Sequence, residues 1–265
     1  MISTTLAAAA FGTDPGHWPL PAAHNADELL LRAVAAGGQG RYSSAQADLA
    51  VLLRCEAGGR RASLAMSTQA SFHRQLGWHA LARGWDGRAL AAADRDPEAG
   101  VDALIGLAAD SRPNPRASAA AALLTRATAV LDDSDAPPAR LAIRMAWVGA
   151  ELAMAAGDGA EARRHAQHGV ELAEQALPGL RRHRVKSDVV LAAALCSDGD
   201  LDLSRALADS ALADTQTYGL IPLRWALACL LDGIGSATHS PADVAAIRDR
   251  SAAFVTRHGG RLSSS

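Results

Sequence analysis

The stretch Ala70-Ser71-Phe72-His73-Arg74-Gln75-Leu76-Gly77-Trp78-His79-Ala80-Leu81-Ala82 decides how this chain is read. One alanine stands seven residues before a glycine, and another stands five residues after it. Seven residues make about two helical turns, so Ala70 lies on the side where the chain doubles back at Gly77. Small side chains are needed where two antiparallel helices cross closely, because larger ones force the backbones apart. The stretch therefore predicts a helical hairpin with an alanine seam.

The same arrangement recurs in both directions. Turn-type residues stand at Gly40, Gly77, Pro115, Gly157, Gly199 and Gly235, at steps of 36 to 42 residues. Seven residues before them are Ala33, Ala70, Ala108, Ala150, Ala192 and Ala228, and five residues after them are Ala45, Ala82, Ala120, Ala162, Ser204 and Ser240. Helix-pair repeats have periods of about 34 to 47 residues. Roughly one residue in four is Ala, and aromatics are only 4%. Alanine is the strongest helix former, and long runs of Val, Ile and Thr with period two are missing. The expected class is all-α, an α-solenoid of about six antiparallel helix pairs over residues 24–258. Residues 1–23, with Pro15, Pro19 and Pro21, predict a flexible N-terminal arm, and residues 259–265 a disordered tail. Ser240-Pro241-Ala242-Asp243 predicts a capped helix start. The helix it begins, over 241–258, reads as a terminal cap exposing Arg248, Asp249, Arg250 and Arg257.

Gly77-Trp78-His79-Ala80-Leu81-Ala82, followed by Ala89-Leu90, resembles the tetratricopeptide pattern of a turn glycine, a small residue and then Ala-Leu. Gly157-Asp158 with Ala162, and Gly199-Asp200-Leu201 with Ala211-Leu212, repeat it. The family's aromatics are mostly missing, and Pro115 replaces a turn glycine. The resemblance implies right-handed stacking of the pairs, with first helices lining a concave groove that binds a peptide or protein segment. Pro222-Leu223-Arg224-Trp225-Ala226-Leu227-Ala228 is similar to helical repeats attached to bacterial transcriptional regulators.

Composition narrows the function. A formal net charge of −2 gives no global attraction to nucleic acid or an anionic membrane. No apolar run reaches the ~18 residues of a membrane span. Met1 to Ala10 lacks a positive n-region, so a cytoplasmic chain without a signal peptide is expected. Cys55, Cys196 and Cys229 lack metal-ligand spacing and predict free, buried thiols. Gly37-Gly38-Gln39-Gly40 lacks the Lys-Ser/Thr and preceding strand of a phosphate loop, and reads as a helix C-terminal turn. His165 and His168 lie one turn apart without a third ligand, and Arg163 and Arg164 would repel a metal. His73 and His79 read as structural, and Asp132, Asp133 and Asp135 as a linker capping the next helix. No enzyme, metal or cofactor is expected.

The resemblance places residues thirteen, ten, six and three before each turn on the groove. These are Leu64, Ser67, Ser71 and Arg74, then Asp102, Ile105, Ala109 and Arg112. In the next two units they are Arg144, Trp147, Glu151 and Met154, and Lys186, Val189, Ala193 and Cys196. One cation per unit, Arg74, Arg112, Arg144 and Lys186, suits a peptide bearing carboxylates, with Trp147 and Met154 as apolar anchors. A second candidate is the basic patch Arg181, Arg182 and Arg184 with His183, whose charge opposes the dipole of the helix it begins. The expected function is an interaction scaffold for a peptide or segment of a transcription or signalling factor, acidic ones favoured by the cations. The alternative is a domain sensing a small molecule or peptide and acting in trans on a transcriptional regulator.

Overall fold

Gly40, Gly77, Gly157, Gly199 and Gly235 have φ of 80°, 87°, 77°, 88° and 82°, a left-handed backbone that glycine adopts without strain and that ends each first helix. The computed structural model describes residues 3–111 and 117–263, so the expected turn at Pro115 and the groove candidate Arg112 lie outside the described residues. Among the described residues the chain forms thirteen helices and no strand. After α1 (Thr4–Phe11) come six pairs: α2 (Ala26–Gly38) with α3 (Tyr42–Cys55), α4 (Gly59–Gln75) with α5 (His79–Ala92), α6 (Pro97–Ala109) with α7 (Ala117–Asp132), α8 (Ala139–Ala156) with α9 (Gly159–Gln175), α10 (Arg181–Ser197) with α11 (Leu201–Thr217), and α12 (Ile221–Ile234) with α13 (Pro241–Arg257). Each first helix packs on its own partner and on the first helix of the next pair. That serial contact makes the chain an all-α solenoid.

The seam behaves as its residue sizes require. Ala33, Ala70, Ala108, Ala150, Ala192 and Ala228 are each 0% exposed. Ala45, Ala82, Ala120, Ala162 and Ser204 across the turn are buried as completely. The two columns touch: the Ser204 hydroxyl donates to the Ala192 carbonyl at 2.8 Å. Ser240 breaks the second column because it is the exposed N-cap of α13, its hydroxyl accepting from the Asp243 amide at 3.2 Å. Asn25, Asp96, Asp158 and Asp200 cap α2, α6, α9 and α11. Helix α8 begins at Pro138 with no side-chain cap, so the acidic linker does not cap it.

Both ends depart from expectation. Residues 3–23 are not a free arm. Ser3 caps α1, Leu6 is fully buried, and Ala9 and Ala10 bury themselves against Val34 and Ala35 of α2. The Phe11 and Gly12 carbonyls accept from the amides of Leu180 and Arg181, at 2.9 and 3.1 Å. Gln39 then ties the Pro15 and His17 carbonyls down, each at 2.9 Å. The tail is also docked as far as residue 263: the Ser263 amide donates to the Leu76 carbonyl at 2.8 Å, and Trp78 donates to the Arg261 carbonyl at 2.6 Å. The sixth pair meets the first where Val255 joins Tyr42 and Leu49 in one core, and the Ser43 amide donates to the His258 carbonyl at 2.8 Å. The array thus curves until its last pair touches its first, and apolar burial drives the contact.

Overfilling the seam tests this packing. Ala150→Leu is expected to cost about 1–3 kcal/mol in urea denaturation. Ala155→Leu, on an exposed position of the same helix, should stay within about 0.5 kcal/mol of wild type. Equal effects at the two positions would show that the seam is not a close crossing.

Candidate functional site: a cavity inside the ring

Closing the array turns the expected open groove into a cavity of about 500 Å³ walled by α2, α4, α6, α8, α10 and α12. This lies within the roughly 300–1,000 Å³ of small-molecule sites. The residues thirteen before each turn reach it in all six pairs: Asp27, Leu64, Asp102, Arg144, Lys186 and Pro222. Of the residues ten before, Leu30, Ser67 and Trp147 line it; of those six before, Val34 and Ser71.

The deeper rows of the expected groove lie elsewhere. Arg74 donates to Asp86 at 3.0 and 3.1 Å, to the Gly106 carbonyl at 3.2 Å, and to Asp110. It is therefore a buried structural tie between α4, α5 and α6, already neutralised by two carboxylates. Burial pushes Asp86 up to about 7 in spite of Arg74, with Asp110 adding repulsion. Val189 is part of the core between α10, α11 and α12. Met154 packs beside the core of α8, α9 and α10. Glu151 holds Lys186 at 3.7 Å. Ile105 is fully buried. Closure selects these rows, because the cavity-facing residues of α6, α8, α10 and α12 lie in their N-terminal halves, while in α2 and α4 the lining face continues to Gly38 and Gln75.

A row that the sequence reading missed stands one turn earlier on the same helix faces: Arg60, Glu98, Arg140 and Arg182. Extending the face by four residues would have found it. Arg140 bridges Glu98 at 2.7 Å and Asp102 at 2.8 Å, while Arg60 takes the other oxygen of Glu98 at 2.6 Å. Arg144 pairs with Asp102. Burial acts to raise Glu98, but the hydrogen bonds from Arg140 and Arg60 prevail and hold its carboxyl below the usual glutamate value.

The basic patch does not exist as a patch. Arg181 turns outward over the Tyr218 ring, 5.6 Å from its centroid, and Arg184 pairs with Glu174 and Asp188. Arg182 and His183 turn into the cavity. The amides of Leu180, just before α10, and of Arg181, its first residue, donate to the carbonyls of Phe11 and Gly12, whose partial negative charge offsets the cations at this helix end. Gly37 and Gly38 also differ from expectation, for both lie inside α2. A Cβ on Gly37 would come within 2.1 Å of the Phe72 ring, and one on Gly38 within 2.7 Å of the Arg182 guanidinium. Gly40 alone makes the turn.

His183 forms the cavity's aromatic wall with Trp147 and Phe11, at centroid distances of 5.5 and 6.1 Å. The Trp147 indole donates to Ser187 at 2.8 Å, and the Ser187 hydroxyl donates to the Gly169 carbonyl at 3.1 Å, so the ring is held in one orientation. Lys186 stands 5.7 Å from the Trp147 ring centroid. Elsewhere, His165 lies 3.1 Å from Glu161 and His168 3.9 Å from Glu171. Among the described residues no three His, Cys, Asp or Glu side chains converge as metal ligands. Nor is any helix there long and apolar enough to cross a membrane. The three thiols are free but none is buried as expected: Cys55 is exposed, and Cys196 and Cys229 are half-buried.

Burial, reinforced by Arg182, Arg140 and Arg144, holds the His183 imidazole well below its usual 6.5. It is therefore neutral at pH 7. An unfolded chain protonates this ring near pH 6.5 while the folded one does not, so its contribution is intact above that pH and lost as pH falls below it. Asp86 acts oppositely, gaining stability as pH falls through about 7, so the useful readout is the difference between two proteins. His183→Phe is expected to lose less stability than wild type between about pH 7.5 and pH 5.5 in urea denaturation. Identical losses would mean that the ring is protonated in the fold.

No family model matches the chain, and no curated protein matches it.

Proposed function

We propose that this protein is a binding module that senses a small molecule held inside its ring. The observation that carries this is the 500 Å³ cavity on which all six first helices converge. Its wall is mainly apolar, with Leu30, Leu31, Leu64, Phe72 and Trp147, and carries a few oriented polar groups. That is the composition of a ligand site. An extended peptide would need a channel open at the ends of the array, and here the first pair is joined to the last. The small-molecule sensor is therefore favoured over the scaffold for a protein segment.

Binding without catalysis suits the chemistry of the wall. Glu98 and Asp102 are clamped by arginines, which leaves neither carboxylate free to take a proton from a bound molecule. A sensor needs its ligand to stabilise one state of the ring over another. The α1–α10 and α3–α13 junctions are the places where such a preference would be read by a partner, with regulation in trans as the consequence.

The test is a metabolite-library thermal shift on the full chain and on Ser71→Trp, which places an indole in the cavity. A ligand at a hundredfold excess over Kd adds about 2.7 kcal/mol, or roughly 5–10 °C in Tm for a chain of this size. Wild type is expected to respond to at least one compound that Ser71→Trp, still folded by circular dichroism, does not. A compound shifting both proteins equally would place binding outside the cavity.

A further inference from the structure

The cavity wall carries five cations, and four of them are neutralised within the protein. Arg60 meets Asp96 at 3.8 Å and shares Glu98 with Arg140, Arg140 and Arg144 share Asp102, and Lys186 meets Glu151, four carboxylates for four cations. Arg182 is the exception. It is half-buried, its guanidinium lies against Gly38, and it donates a hydrogen bond to the Val34 carbonyl at 3.4 Å. Among the described residues no carboxylate lies within ion-pair distance of it. Burial, with repulsion from Arg140, lowers it to about 10, so it remains a cation at neutral pH. Even a partly desolvated cation is costly without a counter-charge.

Two further polar atoms on the same wall lack partners. His183, 4% exposed, has no hydrogen bond at Nδ1, and Ser67, also 4% exposed, has none at its hydroxyl. Native folds rarely leave such atoms unmatched. Both residues and Arg182 line one cavity whose remaining surface is mostly apolar, the two unpartnered atoms lying just beneath that surface. The α2 backbone carries no side chain at Gly38, which leaves the room that the guanidinium occupies.

Resting on the small-molecule reading above, we infer that the cavity takes an organic monocarboxylate, whose carboxylate pairs with Arg182 and whose apolar body lies along Phe11, Phe72 and Trp147. The charge count favours a single negative charge. One cation is unpaired, and a phosphate dianion would add a second charge with no counter-ion. Arg182 matches a carboxylate in shape as well, since a planar guanidinium donates two parallel hydrogen bonds to it.

The experiment titrates a series of alkyl and aryl carboxylates, from benzoate to decanoate, into the full-length protein by calorimetry. Each is compared with its primary amide and with the alkyl phosphate of matching length. The best carboxylate is expected to bind roughly ten- to a hundredfold more tightly than its amide, the size of a charged hydrogen bond, and more tightly than the phosphate. Arg182→Gln is expected to erase the preference over the amide while leaving the ligand-free Tm unchanged or higher, because an unpaired, partly buried charge is removed. Equal affinities for carboxylate and amide in wild type, a preference retained in Arg182→Gln, tighter binding of the phosphate, or no binding by any carboxylate would each overturn the inference. If uncharged amides bind wild type and fail on Ser71→Trp, the cavity reading stands while the anion assignment falls. If binding persists in Ser71→Trp, the cavity reading itself falls.

Discussion

A stack of helix pairs encloses space only if its curvature brings the last pair back to the first, and in this chain both terminal segments hold that contact. The Leu180 and Arg181 amides donate to Phe11 and Gly12, and the Ser43 amide donates to His258. Val255 meets Tyr42 in a shared core. These contacts are modest one by one, since a hydrogen bond contributes about 1 kcal/mol net. Their effect lies in geometry: the inner faces of six helices look toward one another instead of opening to solvent. Without that closure Arg140, Arg182 and Trp147 would stand on a shallow exposed face, with water screening their charges.

Leu180, at the centre of this junction, has φ of 49°. A left-handed backbone at a leucine costs about 1–2 kcal/mol. Its amide reaches the Phe11 carbonyl from that conformation, and its side chain lines the cavity. Backbone strain is thus located where the closing segment, the start of α10 and the binding surface coincide. The same short stretch turns Arg182 and His183 inward and Arg184 outward, which divides one run of basic residues between two environments.

The candidate site was legible in part. The residues named thirteen before a turn, Leu64, Asp102, Arg144 and Lys186, all line the cavity, because helical period and a turn register suffice to place one side chain on one face. The row one turn earlier was legible in principle by the same periodicity. The cation pattern misled at Arg74. Its partners Asp86 and Asp110 are 12 and 36 residues away, and nothing local announces that they converge on it. Arg182 was visible as part of a basic run, but its lack of a carboxylate is a property of its surroundings. The flexible arm was inferred from prolines and glycine, which describe local backbone preference and say nothing of whether Leu6, Ala9 and Ala10 find a surface to cover.

Composition and periodicity alone determined the helical class, the six-pair register and the alanine seam. These depend on short-range geometry: the pitch of a helix, the left-handed turn at glycine, and the small volume needed at a close crossing. Tertiary structure decided the closure, the cavity and which charges remain unpaired. Those depend on contacts between residues as far apart as Arg41 and His258. Curvature accumulates from small rotations at each of five interfaces between pairs, and no local pattern encodes their sum.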